Sequence, residues 1–179
     1  VFYLPQIASG FIAQEPGVTL QNVVLADGTA ATAVYGLERP ALGAAVLHFV
    51  PGEQPAQTSR FVYDGKTLTT PLLQVQLDEL GRITSLVTRA DGMQWADGPM
   101  NTLLMAEDVS AGWDGWDIDA DCMMKLQPAA RLTKQTVTAD GPQEFRLHSR
   151  YELGTATILE QDMIFRAEST LVEWQTVLH

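Results

Sequence analysis

The ten residues EFRLHSRYEL, Glu144 to Leu153, alternate between apolar and polar side chains with a period of two. Successive side chains of a β-strand point to opposite faces, whereas a helical stripe recurs about every 3.6 residues. The pattern therefore predicts a strand with one face in a core and the other in water. The face expected in the core carries Phe145, Leu147, Ser149, Tyr151 and Leu153. The face expected in water carries Glu144, Arg146, His148, Arg150 and Glu152.

The same period recurs along the rest of the chain. NVVLADGTAATAVYG predicts a hairpin that turns at Asp27-Gly28, a pair that readily supplies the positive φ angles of a tight turn. LLQVQLDELGRITSLV predicts a second hairpin that turns at Glu79 to Gly81, and TATILEQDMIF and STLVEWQTVL follow as two further strands. No convincing apolar stripe of helical period extends over ten or more residues. The chain is therefore predicted to be all-β, with antiparallel sheets packed as a β-sandwich.

The composition excludes several classes of partner. Among 179 residues, 46% are hydrophobic, which is enough to form a core, and the net charge is -11. A phosphate backbone or an anionic membrane surface would repel such a chain, so neither nucleic acid nor a membrane is expected as a partner. Cys122 is the only cysteine, which leaves no disulfide framework and no second thiolate for zinc. A reducing, cytoplasmic location is expected.

The segment PGEQPAQTS, Pro51 to Ser59, is rich in proline and small polar residues and has no periodicity, as expected of a linker. It divides the chain into a small β-sandwich unit at residues 1–52, a linker at 53–60 and a larger unit at 61–179. A long β-hairpin loop remains the alternative. Because Val1 is not an initiator methionine and STLVEWQTVLH stops within a strand pattern, the chain is expected to be part of a longer polypeptide, with trimmed tails as the alternative.

The stretch GWDGWDIDAD, Gly112 to Asp121, concentrates two tryptophans and four aspartates in ten residues. Asp117, Asp119 and Asp121 match the first positions of a calcium loop. Cys122 and Pro128 stand where that loop needs a glycine and a glutamate. An EF-hand is therefore excluded.

The histidines and the cysteine form no recognisable metal or nucleophile motif. His48, His148 and His179 are scattered and lack metal-ligand spacing, so all three are expected at the surface. No local signature supplies a histidine base for Cys122.

Asp114 and Asp117, flanked by Trp113 and Trp116, leave two interpretations open. Glycoside hydrolysis uses two carboxyl groups about 5 to 10 Å apart, and tryptophan offers a flat apolar face to a sugar ring. In the second interpretation the tryptophans fill the space between sheets, and the aspartates hold a turn. The residue types alone do not separate the two.

Residues 68–121 resemble a segment of the family 38 glycoside hydrolases, the α-mannosidases. The resemblance is carried by TTPLLQVQLDELGRITSLVTRADGMQWADGPMNTLLMAEDVSAGWDGWDID, in which a Gly-Arg-Ile-Thr-Ser hairpin precedes an Asn-x-Leu run, a Glu-Asp pair and the Trp-Asp block. Gly115 stands where the family usually has alanine. Upstream, LERPALGAAVLHF resembles the segment that closes a small β domain, and downstream LVEWQTVLH resembles a Val-Asp-Trp strand, with Glu173 in place of the aspartate.

This resemblance implies a fragment of the C-terminal β-rich region, in which a small β-sandwich leads into a supersandwich similar to galactose mutarotase. The family carries its zinc ligands and both catalytic aspartates on an N-terminal domain, in motifs that this sequence lacks. No catalytic or metal residue is therefore assigned to this chain, and zinc is expected in the N-terminal catalytic domain. That domain of the same polypeptide is the expected partner, and mannose-containing glycans would be met through the full enzyme. Trp113, Asp114, Trp116 and Asp117 are expected to bind substrate or to face the catalytic domain.

Three hypotheses for the function follow. In the first, the chain is a non-catalytic β domain of a retaining α-mannosidase, which supports and shapes the active site and is inactive alone. In the second, it is a free-standing carbohydrate-binding β-sandwich that stacks sugars on Trp113, Trp116 and Trp95. In the third, it is a structural β domain without a ligand. Exposed tryptophans would favour the second hypothesis, and tryptophans buried or facing another domain would favour the first.

Overall fold

A computed structural model describes residues 1–109, 112, 118 and 120–179 of the chain. The only helix among these residues is a single 3₁₀ turn at Cys122–Met124, and no helix in this part of the chain is long and apolar enough to cross a membrane.

The first strands are β1 (Phe2–Pro5), β2 (Phe11–Ala13), β3 (Thr19–Val24), β4 (Ala30–Tyr35) and β5 (Phe49–Pro51). They form an antiparallel sheet in the order β1-β4-β3 and a separate β2-β5 ribbon. The hairpin predicted around Asp27-Gly28 is the β3-β4 pair and is confirmed.

A four-stranded antiparallel sheet follows, with its strands in sequence order. Its strands are β6 (Val62–Tyr63), β7 (Thr67–Thr69), β8 (Leu73–Leu77) and β9 (Ile83–Thr88). The second predicted hairpin joins β8 to β9 and is confirmed. Asp78 Oδ1 accepts hydrogen bonds from the backbone N–H groups of Leu80 and Arg82, both at 2.9 Å, and Gly81 takes the positive φ of 74° that the turn requires.

The last part of the chain forms a second four-stranded antiparallel sheet, again in sequence order. A short ribbon of β10 (Leu104–Met105) and β11 (Gln127–Pro128) precedes it. The sheet contains β12 (Ala130–Asp140), β13 (Glu144–Leu153), β14 (Thr157–Arg166) and β15 (Val172–Leu178). The three consecutive strands predicted at the end of the chain are confirmed as β13, β14 and β15.

The β6-β9 sheet and the β12-β15 sheet pack face to face around one apolar core. The buried members of this core come from both sheets and from the segments next to them: Phe61, Leu68, Leu73, Val75, Leu77, Ile83, Leu86, Phe145, Leu147, Met163, Phe165 and Ala167. Phe61 and Tyr63 contact the ring of Phe145 at centroid distances of 5.8 and 5.5 Å. The predicted all-β, antiparallel sandwich is therefore confirmed, and the apolar face of β13 points into it as expected.

The opposite face of β13 differs from the prediction. The alternation places Glu144 and Arg146 in water, but both side chains are completely buried. The reason is a third layer, because the β1-β4-β3 sheet packs on the outer face of the β12-β15 sheet. The apolar contact between them is formed by Val23, Ala31, Ala33 and Ala139, with Tyr3, Leu25 and Tyr35 against it. The expectation of a wet face is correct farther along the strand, where Arg150 is exposed.

The buried guanidinium of Arg146 is held between two buried carboxylates. Its Nε donates to Glu144, and its Nη1 donates to Asp162 at 2.7 Å. Glu144 also accepts hydrogen bonds from the hydroxyl groups of Tyr3, at 2.9 Å, and Tyr35, both of which belong to the β1-β4-β3 sheet. The guanidinium carbon of Arg146 lies 4.9 Å from the ring centroid of Tyr3, which adds a cation–π contact. The same charged groups therefore join the third layer to the middle sheet.

The side chain of Gln21 provides a second junction between these layers. Its Nε2 donates to the carbonyl of Glu144 at 2.6 Å, and its Oε1 accepts from the backbone N–H groups of Gln143 and Glu144, each at 3.0 Å. A Cβ at Gly141 would lie 2.5 to 2.8 Å from atoms of the Gln21 amide, so only glycine leaves room for it. The division into units 1–52, 53–60 and 61–179 stays a prediction, and residues from the first and the last of these ranges are in direct contact.

Substitution of the buried arginine should destabilise the fold far more than substitution of its exposed neighbour on the same face. Arg146→Ala leaves two buried carboxylates without this cation, which costs about 3–5 kcal/mol. Arg150→Ala removes a more exposed pair with Glu160, and such a pair is worth less than about 1 kcal/mol. Urea unfolding of both variants measures the difference, and equal midpoints would show that the Arg146 cluster does not hold the layers together.

Candidate functional site

The Trp-Asp block, the strongest candidate from the sequence, lies outside the described residues. This applies to Trp113, Asp114, Trp116 and Asp117. The segments on either side of the block are nevertheless joined, because β10 pairs with β11 in the register Leu104↔Pro128 and Met105↔Gln127. The assignment of the block to substrate binding or to a domain interface therefore stays a prediction.

The described residues on both sides of the block expose several apolar side chains. Between the start of β10 and the end of the 3₁₀ turn these are Leu104, Met105, Val109, Ile118, Met123 and Met124. Met123 and Met124 are 73% and 82% exposed, and methionine adapts readily to irregular partner surfaces. Exposed apolar side chains at this density are typical of a segment that meets a partner.

Trp95, the third tryptophan of the stacking hypothesis, is exposed. Its backbone N–H donates to the carbonyl of Leu86 at 2.8 Å, so the residue is attached to the outer edge of β9. It lines a cavity of about 400 Å³ together with Trp174. The other lining residues are Leu86, Thr88, Asp91, Met100, Thr170, Leu171 and Val172. The mainly apolar lining suits an aliphatic side chain or the flat face of a sugar ring.

The charged cluster around Arg146 contains paired carboxylates, which raises the question of catalysis. Its cationic groups are Arg146, Arg150, Arg166 and, when protonated, His148. Its carboxylates are those of Glu144, Glu160, Asp162 and Glu173. Glu144 and Asp162, the two that hold Arg146, are completely inaccessible to solvent, so no substrate reaches them in this fold. The cluster therefore acts as a structural joint between layers.

The protonation states in the cluster agree with a structural role. Burial, reinforced by the negative charge of Glu144, raises the pKa of Tyr3, and the same two causes raise the pKa of Tyr35. Burial alone would lower the pKa of Arg146, but the charge of Glu144, the hydrogen bonds to Glu144 and Asp162 and the interaction with Tyr3 together outweigh it, so the pKa is raised. Both phenols and the guanidinium therefore keep their protons near neutral pH and donate hydrogen bonds to the carboxylates.

His148 occupies a different environment from the one predicted. The alternation places it on a wet face, but its side chain is only 17% exposed. Its Nδ1 lies 2.8 Å from Asp162 Oδ1, and its Nε2 lies 2.9 Å from Glu160 Oε2. Each ring nitrogen therefore has one carboxylate within hydrogen-bonding distance. The strand β14 supplies both partners.

The other two histidines are exposed, as predicted. His48 Nδ1 lies 2.7 Å from Glu15 Oε1, and this hydrogen bond is the main reason why the pKa of Glu15 is lowered. Asp121 of the predicted aspartate row pairs with Lys125 at 2.8 Å. In the part of the chain that the structure describes, no group of three His, Cys, Asp or Glu side chains is placed to hold a metal ion.

Comparison with known protein families finds a match over most of the sandwich. A family model described as the glycosyl hydrolases family 38 C-terminal domain matches residues 68–179, which is well over half of the chain. The matched range includes β8 to β15. No curated protein matches the chain.

Acid should weaken the joint through Glu173. Burial would raise the pKa of Glu173, but the hydrogen bonds from Arg166 and Gln175 and the positive charges of Arg166 and Arg146 together outweigh it, so the pKa is lowered from the ordinary 4.5. As the pH falls, Glu173 takes up a proton at a higher pH in the unfolded chain than in the folded one. The stability that ionised Glu173 contributes is therefore complete above the ordinary pKa, and it is lost as the pH falls through the lower pKa of the folded state.

Glu173→Gln is therefore expected to lower the urea midpoint at pH 6.5, and the difference from the unmodified chain should shrink at pH 3. Glu168→Gln is the matched control, because Glu168 is 71% exposed and pairs only with Arg60 among the described residues. An equal effect of Glu173→Gln at both pH values would contradict the assignment.

Proposed function

The chain belongs to glycosyl hydrolase family 38, whose C-terminal domain it carries over residues 68–179, and we propose that it supports the active site of an α-mannosidase. In this proposal the chain is a non-catalytic β domain, and its partner is the N-terminal catalytic domain of the same polypeptide. The substrates of the complete enzyme are glycans with terminal α-linked mannose. The family match is the observation that carries the proposal.

The chemistry is assigned to the catalytic domain. A retaining glycosidase needs a carboxylate nucleophile and an acid/base carboxyl group on opposite sides of the scissile bond. The family resemblance puts both groups and the zinc ligands on the N-terminal domain, where zinc would orient the substrate and stabilise developing charge. In the described residues the two fully buried carboxylates that hold Arg146 are out of reach of a glycan. The chain is therefore expected to contribute shape and contacts to catalysis.

Two features of the chain support the role of a rigid platform. The Arg146 cluster and the Gln21 junction hold the β1-β4-β3 sheet to the β12-β15 sheet, so a catalytic domain that contacts this surface would be positioned firmly. The exposed apolar side chains that flank the Trp-Asp block provide the contact surface. We assign Trp113, Asp114, Trp116 and Asp117 to the junction with the catalytic domain, where they face its active site. The lone Cys122 is consistent with a reducing, cytoplasmic compartment.

The first experiment tests the division of labour. The chain is incubated with zinc and a chromogenic aryl α-mannoside, alone and together with a separately expressed N-terminal catalytic domain of the same polypeptide. We expect no turnover above a heat-denatured control from the chain alone, and increased turnover by the catalytic domain when the chain is added. Turnover by the chain alone, abolished by Asp114→Asn or Asp117→Asn, would place the chemistry in the Trp-Asp block and overturn the proposal.

The second experiment tests the Trp-Asp block in the reassembled enzyme. Trp116→Ala is expected to lower the turnover at least about tenfold, because loss of a large aromatic side chain at a junction typically costs more than about 1.4 kcal/mol, and that energy is tenfold in rate. Trp95→Ala is the control and should leave turnover unchanged, since Trp95 lies on the outer edge of β9. Equal losses in the two variants would show that the block has no special role.

A second candidate function is favoured by one observation, the exposure of Trp95 next to a cavity of about 400 Å³. In this alternative the chain is a free-standing carbohydrate-binding β-sandwich. Titration of the isolated chain with mannose oligosaccharides, followed by tryptophan fluorescence, separates the two functions. Saturable binding that Trp95→Ala abolishes would favour the alternative, and the absence of binding would leave the α-mannosidase role.

A further inference from the structure

Six aspartates of the chain are followed directly by glycine, and these pairs differ in their hydrogen bonding. An Asp-Gly pair can close on itself, because glycine has no side chain to keep its backbone nitrogen away from the aspartate side chain. The pairs are Asp27-Gly28, Asp64-Gly65, Asp91-Gly92, Asp97-Gly98, Asp114-Gly115 and Asp140-Gly141. The pair Asp114-Gly115 lies outside the described residues, and the structure allows the other five to be compared.

In three of the five described pairs, the glycine N–H donates a hydrogen bond to a backbone carbonyl. The donors and acceptors are Gly28 and Leu25 at 2.8 Å, Gly92 and Thr88 at 2.9 Å, and Gly141 and Glu144 at 3.2 Å. The aspartate of each of these pairs also accepts a hydrogen bond, from Thr29, Met93 and Ser59 respectively. These bonds have to break before the nitrogen can reach the side chain, so the three pairs are protected by the fold.

The pair Asp64-Gly65 is protected through its aspartate. The N–H of Gly65 has no partner among the described residues, but Asp64 Oδ1 accepts from the backbone N–H groups of Thr67, at 2.7 Å, and Lys66, at 2.9 Å. These bonds favour the ionised side chain and hold the pKa of Asp64 below its ordinary 3.8. The form that can lose a hydroxyl is the uncharged carboxylic acid, so this pair is also held back from reaction.

The pair Asp97-Gly98 has neither kind of protection. Within the part of the chain that the structure describes, no group forms a hydrogen bond with the Asp97 carboxyl group or with the Gly98 N–H. Both residues are exposed, and a Cβ added to Gly98 would meet nothing within 4 Å. The nitrogen and the carboxyl group are therefore free to approach each other while the rest of the sandwich stays folded.

The stretch that contains this pair can change its shape without leaving β9. Gln94 pairs with Val87 of β9, and Met100 pairs with Ile83 of the same strand. Met100 is six residues from Gln94, whereas Val87 is only four residues from Ile83, so the stretch bulges away from β9 between the two contacts. A ring or an added backbone atom at Asp97 can be accommodated in this bulge while both contacts persist.

We propose that Asp97-Gly98 is a site at which aspartate isomerises spontaneously to isoaspartate in the folded chain. The backbone nitrogen of Gly98 attacks Cγ of Asp97. The nitrogen loses its proton and the carboxyl group loses its hydroxyl, which leave together as water, and a five-membered succinimide ring remains. Water then opens the ring at either carbonyl. Attack at Cγ restores aspartate, whereas attack at the former backbone carbonyl gives isoaspartate, in which the chain runs through Cγ.

The isomerised residue is a substrate for a further modification. One water is lost and one is regained, so the mass is unchanged, but the former backbone carbonyl of Asp97 becomes a free carboxylate. An L-isoaspartyl methyltransferase transfers the methyl group of S-adenosylmethionine to such a carboxylate, giving a methyl ester and S-adenosylhomocysteine. The exposed bulge offers this group to an enzyme. The proposal depends only on the backbone around Asp97 and is independent of the glycosidase role.

The first test measures isoaspartate at each pair after the folded chain has been kept for several weeks at body temperature and neutral pH. Peptides are separated by chromatography and identified by mass spectrometry, because isoaspartate changes the retention of a peptide and leaves its mass unchanged. The rate at Asp97 should be at least about tenfold above the rates at the four other described pairs. Tenfold corresponds to about 1.4 kcal/mol, the size of one or two ordinary hydrogen bonds. An equal or faster rate at Asp27, Asp64, Asp91 or Asp140 would overturn the proposal.

The second test separates the effect of the fold from that of the sequence. In guanidinium chloride the hydrogen bonds at the other pairs are lost, so the advantage of Asp97 should disappear. The same advantage in the unfolded chain would show that the sequence around the pair selects the site, and it would overturn the role given to the structure.

The third test uses matched variants in an Asp114→Glu background, which removes the pair outside the described residues. Asp97→Glu keeps the charge but needs a six-membered ring, which closes far more slowly. This variant should lose most of the labelled methyl groups that the methyltransferase adds to the aged chain. Asp64→Glu is the control and should keep them, and circular dichroism confirms that both variants are folded. Equal labelling of the two variants would contradict the assignment.

Discussion

The contact between the Arg146 guanidinium and its two carboxylates is the interaction on which the arrangement of the layers depends. A guanidinium cannot lose its charge in a protein interior, and its transfer out of water is costly unless carboxylates surround it. Glu144 comes from the same strand, and Asp162 comes from the neighbouring strand. Tyr3 and Tyr35, from a different sheet, complete the hydrogen bonding of Glu144. The charge can be buried only when all three elements are in place.

This requirement makes the β12-β15 sheet a middle layer. One of its faces forms the sandwich core with the β6-β9 sheet, and the other face binds the β1-β4-β3 sheet. Apolar packing supplies most of the energy on the first face. On the second face the apolar cluster is small, and directional contacts set the position of the outer sheet: the hydrogen bonds of Tyr3, Tyr35 and Gln21 to Glu144, and the contact of Arg146 with the Tyr3 ring. A surface offered to a catalytic domain is therefore fixed by geometry as well as by burial.

Much of the fold could be predicted from the sequence, because alternation and turn residues are local signals. The β3-β4 and β8-β9 hairpins and the three last strands follow from them. The strand β12 was not predicted from the sequence. Register shifts after Leu132 and Val137 interrupt the alternation of its inward and outward side chains. The burial of Glu144 and Arg146 was predicted wrongly, since a polar face gives no sign that a distant sheet will cover it. A usable signal was present in the complementary charges of β13 and β14, where His148 faces Asp162 and Arg150 faces Glu160.

The candidate site could be predicted from the sequence to a smaller extent than the fold. The Trp-Asp block and its neighbours supplied the family resemblance, and the family match over residues 68–179 confirms it. What the block contacts depends on groups that no local pattern specifies, so its role in binding stays a prediction. Trp95 shows the same limit, because its exposure depends on how the chain after β9 returns to the edge of that strand.

The β10-β11 ribbon has a consequence for how proteins of this kind can diverge. The ribbon pairs Leu104 with Pro128 and Met105 with Gln127, and so holds the two ends of the intervening stretch together. The entropic cost of closing such a stretch grows slowly, by about 0.6 kcal/mol for each doubling of its length. Residues between the two strands can thus be inserted, deleted or exchanged while the sandwich below keeps its register. Sequence change in this stretch is therefore separated from the stability of the scaffold.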